Sequence, residues 1–172
     1  MNKFMKWTAG LALSAGLILQ SGYAYAESLV LETSKGKVTI DLLEDVAPGH
    51  VERIKKLAQD GFYDGIIFHR VIDGFMAQTG DPTGTGRGGS REPDLKAEFS
   101  DVPFDRGVVG MARTSEPDTA NSQFFIMFDK GHFLNGQYTV WGRVVDGMKV
   151  VDEINKGEPP ANPDKIIKAT IE

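Results

Sequence analysis

The chain has no cysteine. That absence removes disulfides, thiol redox chemistry and a thiolate nucleophile together, so the fold must be held by core packing alone. Histidine is nearly as scarce: His50, His69 and His132 are the three copies, widely spaced and without the carboxylate pattern of a zinc site, so no metal and no cofactor is expected. No G-x-S-x-G elbow marks a nucleophilic serine. Lys plus Arg number 19 against 24 Asp plus Glu, an acidic balance that supplies no field for nucleic acid. A membrane-spanning helix needs ~20 apolar residues; the run over residues 7–19 falls short and is interrupted by Gly10, Ser14 and Gly16.

That run has another use. Lys3 and Lys6 make a positive start, the apolar stretch follows, and Ala24-Tyr25-Ala26 gives the small-x-small pattern read by signal peptidase. Residues 1–26 are therefore read as a signal peptide, with an uncleaved anchor as the alternative, and residues 27–172 as one domain beginning at Glu27. Removing Lys3 and Lys6 leaves 17 basic against 24 acidic side chains, a formal charge of about -7. The remaining ~146 residues are enough for one sizeable core.

Within that domain, residues 29–43 read as a hairpin turning at Ser34-Lys35-Gly36. A helix is expected over residues 48–60, with Pro48 at its first position, Val51, Ile54, Leu57 and Ala58 on one face, and Gly61 as its stop. Strands are expected over 66–71 and 75–78, bent around Asp73-Gly74, and over 108–112, 124–128, 138–145 and 166–171. A second helix over 147–156 takes Asp146 as N-cap. Short strands and only two helices fit a β-barrel or sandwich better than βαβ units.

Gly84-Thr85-Gly86-Arg87-Gly88-Gly89 satisfies G-x-G-x-x-G, but Ser90-Arg91-Glu92-Pro93 follows where a helix should open. The dinucleotide reading fails on context, and a glycine-rich surface loop beside a groove fits better. In FHRVIDGFMAQTGD, residues 68–81, strand alternation puts His69 opposite Phe68 and Arg70, as a packed side chain. The same alternation puts Arg70 on the face of Phe68 and Ile72, where an arginine needs a partner. From this segment alone, a structural ion pair and a functional arginine are equally good readings.

Two further segments decide between them: MARTSEPDTANSQFFIMF, residues 111–128, and FLNGQYTVWGRVVDGM, residues 133–148. With the first segment, in this order and at this spacing, the chain resembles a cyclophilin over residues 29–171, and bacterial exported members most. The resemblance implies a mainly β fold, a closed eight-stranded antiparallel β-barrel capped by two α-helices. It also implies peptidyl-prolyl cis/trans isomerase activity on proline-containing polypeptides.

The family's catalytic arginine matches Arg70, and its apolar proline pocket matches Phe75, Met76, Phe125 and Leu134. Gln78 and Gln123 match the polar groups that hold the arginine and the substrate backbone. Ala112, Arg113 and Thr114 match the edge that pairs with an extended peptide, and Gly86 lies beside a neighbouring side-chain pocket. Phe133 stands where well-known eukaryotic members have tryptophan and Tyr138 where they have histidine, which implies weak cyclosporin binding. Arg113 replaces a usual asparagine and Asp73 a usual proline. The resemblance further implies a monomer, a periplasmic location and a role in folding exported proteins, with a chaperone or proline-peptide binding module of little turnover as the alternative.

Overall fold

The computed structural model describes residues 27–172; the expected signal peptide lies outside them. Eight strands form one antiparallel sheet. They are β1 (Ser28–Thr33), β2 (Gly36–Leu42), β3 (Arg70–Ile72), β4 (Met76–Thr79), β5 (Val108–Met111), β6 (Phe124–Met127), β7 (Val140–Asp146) and β8 (Ile166–Ile171). Their order across the sheet is β3-β4-β6-β5-β7-β2-β1-β8.

β1 and β2 pair as a hairpin, Thr33 opposite Gly36, and β8 lies on the other side of β1. Along β1, Leu29 and Leu31 point into the main core, as do Val38, Ile40 and Leu42 of β2, the period-2 pattern of a strand; Val30, on the other face of β1, is buried as well. Each such side chain removed from water contributes about 1.5–3 kcal/mol.

The expected closed barrel is corrected in one respect. β3 and β8 are the outer strands and no ladder joins them. The segments around them meet at the isolated bridges Ile67 to Lys165 and Val71 to Gly157 and through the Gly65 N–H, given to the Ile166 carbonyl at 2.7 Å, so the sheet is a curled half-barrel. The expected strand over 66–71 is accordingly reduced to Arg70–Ile72. The Phe68 N–H, given to the Asp164 carbonyl at 2.8 Å, belongs to the Ile67 to Lys165 bridge, and the β3 ladder begins only at Arg70, so alternation does not run through 68–70. Phe68 and Val71 enter the core, whereas Arg70 faces outward.

α1 (Pro48–Gln59) buries Val51, Ile54, Leu57 and Ala58 against the sheet at β7 and β8. Its N-cap residue, Ala47, makes no side-chain cap. The distant Glu98 carboxylate does that work, accepting the N–H groups of Gly49 at 3.0 Å and His50 at 2.9 Å and the His50 Nδ1 at 2.5 Å.

α2 is shorter than expected, Met148–Asp152, and Asp146 is the end of β7 and not its cap. Gly147 precedes the helix with φ of 87°, and a Cβ there would lie 2.3 Å from the Lys37 carbonyl oxygen. Only glycine can make this strand-to-helix corner. Among the described residues no helix is long and apolar enough to cross a membrane.

Candidate active site

Strand pairing carries distant residues into one row. Arg70 of β3 is directly opposite Gln78 of β4, Gln78 is opposite Phe125 of β6, and Phe125 is opposite Gly110 of β5. Side chains of paired residues stand on the same face of a sheet. The row therefore presents a guanidinium, an amide and an aromatic ring side by side on the face turned away from the main core. Gly110 completes it by having no side chain: a Cβ there would lie 2.6 Å from both the Phe104 and the Phe125 rings.

Beneath the row is a second apolar cluster containing Met76, Phe104, Val108, Phe125, Met127, Leu134 and Val140. Phe104 stacks on Phe125 at 5.7 Å between ring centroids, and Tyr138 meets Phe125 edge-on at 5.8 Å. These rings fix the floor of a cavity of about 650 Å³, within the range of small-molecule and peptide side-chain sites.

The cavity brings together Arg70, Phe75, Met76, Gln78, Gly86, Ala112, Arg113, Phe125, Leu134 and Tyr138. An adjoining cavity of about 540 Å³ shares Gln78, Gly86, Ala112 and Arg113 and adds Thr114 and Gln123. Phe133 lines neither. It is 67 % exposed and leans on Phe75 at 5.5 Å, forming part of the rim. Arg113 lies 4.4 Å above the Tyr138 ring and donates from Nη2 to the Gln137 carbonyl at 2.6 Å, which pins it between the two cavities.

Gln78 and Gln123 are tied to each other. Gln78 Nε2 donates to Gln123 Oε1 at 2.9 Å, and Gln123 Nε2 donates to the carbonyls of Gly86 and Gly88 at 3.1 and 2.8 Å. Gln78 stands directly opposite Arg70 in the sheet, but its side chain makes no hydrogen bond to the Arg70 side chain among the described residues. Arg70 Nε instead donates to Glu158 Oε1 at 2.7 Å, so the ion-pair reading of Arg70 and its place in the cavity are both realised.

The glycine loop is organised by Asp81, which is 1 % exposed. Its carboxylate accepts the Thr83 N–H and hydroxyl at 2.8 and 2.7 Å and the N–H groups of Gly86 and Gly88 at 2.6 and 3.1 Å. Burial acts to raise its pKa, but these donors outweigh burial and hold it at about 2.

Sequence reasoning missed five residues that line the larger cavity: His69, Gly84, Thr85, Glu158 and Pro159. Gly84 and Thr85 belong to the loop already singled out. His69, expected to be packed away from Arg70, is 5 % exposed yet borders the cavity, and neither ring nitrogen has a protein partner. Burial pushes its pKa down, with Asp81 acting in the opposite direction. Glu158 carries no local signal, being 88 residues from Arg70. Among the described residues no group of three or more His, Asp or Glu is placed to hold a metal.

The family described as "Cyclophilin type peptidyl-prolyl cis-trans isomerase/CLD" matches residues 28–171. The chain is a cyclophilin-type peptidyl-prolyl cis-trans isomerase. A probable peptidyl-prolyl cis-trans isomerase of Brucella suis is 54 % identical over 181 aligned positions, covering 95 % of this chain and 92 % of the relative. The peptidyl-prolyl cis-trans isomerase-like 1 of Aspergillus fumigatus is 41 % identical over 155, covering 85 % and 96 %. Among solved structures, a Cryptosporidium parvum cyclophilin-type isomerase crystallised in the presence of the dipeptide Ala-Pro is similar, with a TM-score of 0.79 and 31 % identity, covering 84 % of this chain and 98 % of that one. This cyclophilin thus has the family's eight antiparallel strands and two helices in a curled sheet.

Proposed function

We propose that this cyclophilin isomerises Xaa-Pro bonds in exported polypeptides by non-covalent catalysis, with Arg70 as the electrostatic group and Phe75, Met76, Phe125 and Leu134 as the seat of the proline ring. The single observation that carries this reading is the guanidinium at the edge of an apolar cavity floored by Met76, Phe125 and Leu134. The Ala-Pro dipeptide present with the Cryptosporidium parvum relative agrees in kind with such an occupant.

Rotation about an Xaa-Pro bond breaks amide resonance, a barrier of about 18–20 kcal/mol. At the twisted transition state the proline nitrogen regains its lone pair. A donor that meets this lone pair acts on the barrier without stabilising the planar ground state. An acceleration of about a millionfold needs about 8 kcal/mol, whereas a hydrogen bond to a charged group supplies about 1.5–3 kcal/mol. Arg70 therefore needs the cavity, which holds the ring while the preceding peptide lies along Ala112, Arg113 and Thr114, so that one torsion stays free.

The same reading includes export through cleavage after Ala26, residence in the periplasm, action as a monomer on folding clients, and weak cyclosporin binding because Phe133 and Tyr138 alter the rim. The deciding experiment is NMR exchange of a short Xaa-Pro peptide with wild type and Arg70→Ala. Fast exchange lost in the variant supports the mechanism, and wild-type turnover in a folded Arg70→Ala protein refutes it. For export, the N-terminus of protein released from the periplasm should be Glu27; retention in the cytoplasm with an intact Met1 refutes that part.

A further inference from the structure

The ion partner of Arg70 is delivered by the backbone. Val71 N–H donates to the Gly157 carbonyl and Gly157 N–H donates to the Val71 carbonyl, both at 2.8 Å, an isolated antiparallel bridge. In antiparallel pairing the residue before one partner faces the residue after the other, so Arg70 faces Glu158. Gly157 has φ of 146°, and a Cβ there would lie 2.6 Å from Pro160 Cα and 2.9 Å from the Pro159 carbonyl oxygen. The chain can make this approach only with glycine, which fixes where Glu158 begins.

The resulting contact is one-sided. Glu158 Oε1 accepts from Arg70 Nε at 2.7 Å, and both residues line the larger cavity. A guanidinium has five N–H groups in one plane. Holding Nε sets that plane, and the four N–H groups on Nη1 and Nη2 take no acceptor among the described residues. The side chains are 45 % and 53 % exposed, so the pair adds little to folding stability. Its consequence is orientation of a flexible side chain whose job is to point at one atom.

We propose that Glu158 is a positioning residue for the isomerase reaction: it fixes the Arg70 guanidinium so that its terminal N–H groups stay turned to the proline cavity. This rests on the catalytic reading of Arg70. Loss of the anchor lets Arg70 sample other rotamers, and ordering one such side chain anew in each turnover reduces the rate by about three- to tenfold. The proline ring is held by other residues, so the effect falls on kcat and leaves KM within about twofold.

The test measures kcat and KM by NMR exchange on the full chain for wild type, Glu158→Ala, Glu158→Gln, Arg70→Ala and the Arg70→Ala/Glu158→Ala double variant. Urea midpoints establish that each is folded. The expected result is a three- to tenfold lower kcat for Glu158→Ala and recovery of at least half of that loss by Glu158→Gln, which keeps an acceptor oxygen at the same reach. Glu158→Ala should have no further effect on Arg70→Ala. An unchanged or raised kcat in Glu158→Ala overturns the proposal, the latter making Glu158 a competitor for Arg70, and so does a Gln variant as slow as Ala. If Arg70→Ala alone keeps wild-type turnover, the catalytic reading of Arg70 falls and this inference with it. A slow Arg70→Ala beside a fast Glu158→Ala overturns only the role of Glu158.

Discussion

Replacing Asp81 with Asn should loosen the loop between the two cavities and lower the stability of the whole domain. Asp81 is nearly inaccessible and its two oxygens receive four donors, two from Thr83 and one each from Gly86 and Gly88. A carboxyl held at about 2 instead of 3.8 carries on the order of 2 kcal/mol of folding free energy in its ionised form at neutral pH. The pKa is depressed in the folded protein, so this contribution is present above 3.8 and is lost as pH falls through about 2. Asn keeps one acceptor and turns an NH2 toward N–H groups, which makes the cost at pH 7 about 2 kcal/mol or more.

Urea unfolding followed by Trp141 fluorescence reads this directly, because Trp141 is the single tryptophan of residues 27–172 and is fully buried. With a urea slope of about 1–3 kcal/mol/M for a small domain, the midpoint should fall by about 1 M. Wild type should lose stability between pH 4 and pH 2 more steeply than Asp81→Asn. The functional consequence passes through the Gly86 and Gly88 carbonyls to Gln123 and on to Gln78. Peptides long enough to reach the second cavity should therefore lose more kcat/KM than a dipeptide. An unchanged urea midpoint, or an acid limb identical in the two proteins, refutes the reasoning.

Gly110→Ala should push the Phe104 and Phe125 rings apart from below the site, costing about 1–3 kcal/mol by overpacking and raising KM for proline peptides; NMR titration giving wild-type affinity refutes it. Glu98→Ala should remove the cap of α1 and cost about 1–2 kcal/mol by urea unfolding, and an effect below 0.3 kcal/mol, within roughly the scatter of uncoupled surface changes, counts against the cap. Burial lowers the pKa of His50, opposed by its bond to Glu98, and burial likewise lowers that of His69. Both histidines are favoured neutral in the folded state, so stability is full above 6.5 and falls as pH drops below it while the unfolded chain takes up protons. His50 and His69 NMR resonances that titrate at 6.5 in the folded protein would contradict this.

The parts of the fold legible in the sequence are those whose burial follows a local period. α1 is readable because Pro48, one apolar face and Gly61 all act within a few residues, and β8 because residues 166–171 pair with β1, with one bulge that leaves Ile167 out of the register. Its N-terminal cap was not, since Glu98 reaches it from almost fifty residues away. The second helix was overextended because Val150, Val151 and Ile154 keep an apolar face beyond the point where Glu153 and Ile154 turn to tighter bonds, to the Val150 and Val151 carbonyls. Alternation holds over 66–68, where Ile66 and Phe68 enter the core and Ile67 bridges Lys165, and breaks at His69, which lies between that bridge and the β3 ladder that begins at Arg70. Strand alternation alone predicts His69 as a packed side chain opposite Arg70; it is buried, yet it borders the cavity. Arg70 stands out from its own apolar segment, its role and the pocket residues are implied by the resemblance, and Glu158 depends on a bridge that no sequence period encodes.

β6 shows why a site of this kind is partly hidden in a sequence. Its residues Phe124, Phe125, Ile126 and Met127 are all buried, so no polar alternation marks a solvent face. Yet the strand alternates in destination: Phe124 and Ile126 enter the main core, where Phe124 meets Tyr63 and Trp141 edge-on, while Phe125 and Met127 enter the cluster under the cavity. One strand thus ties folding to ligand-binding geometry with consecutive residues. A substitution at 124 should act first on stability, and one at 125 on both stability and peptide affinity, because that ring is floor and wall together. The functional face is apolar enough to read as core, and it becomes a site because Gly110 leaves room for the stacked Phe104 and Phe125 rings to form the floor and the sheet edge supplies Arg70.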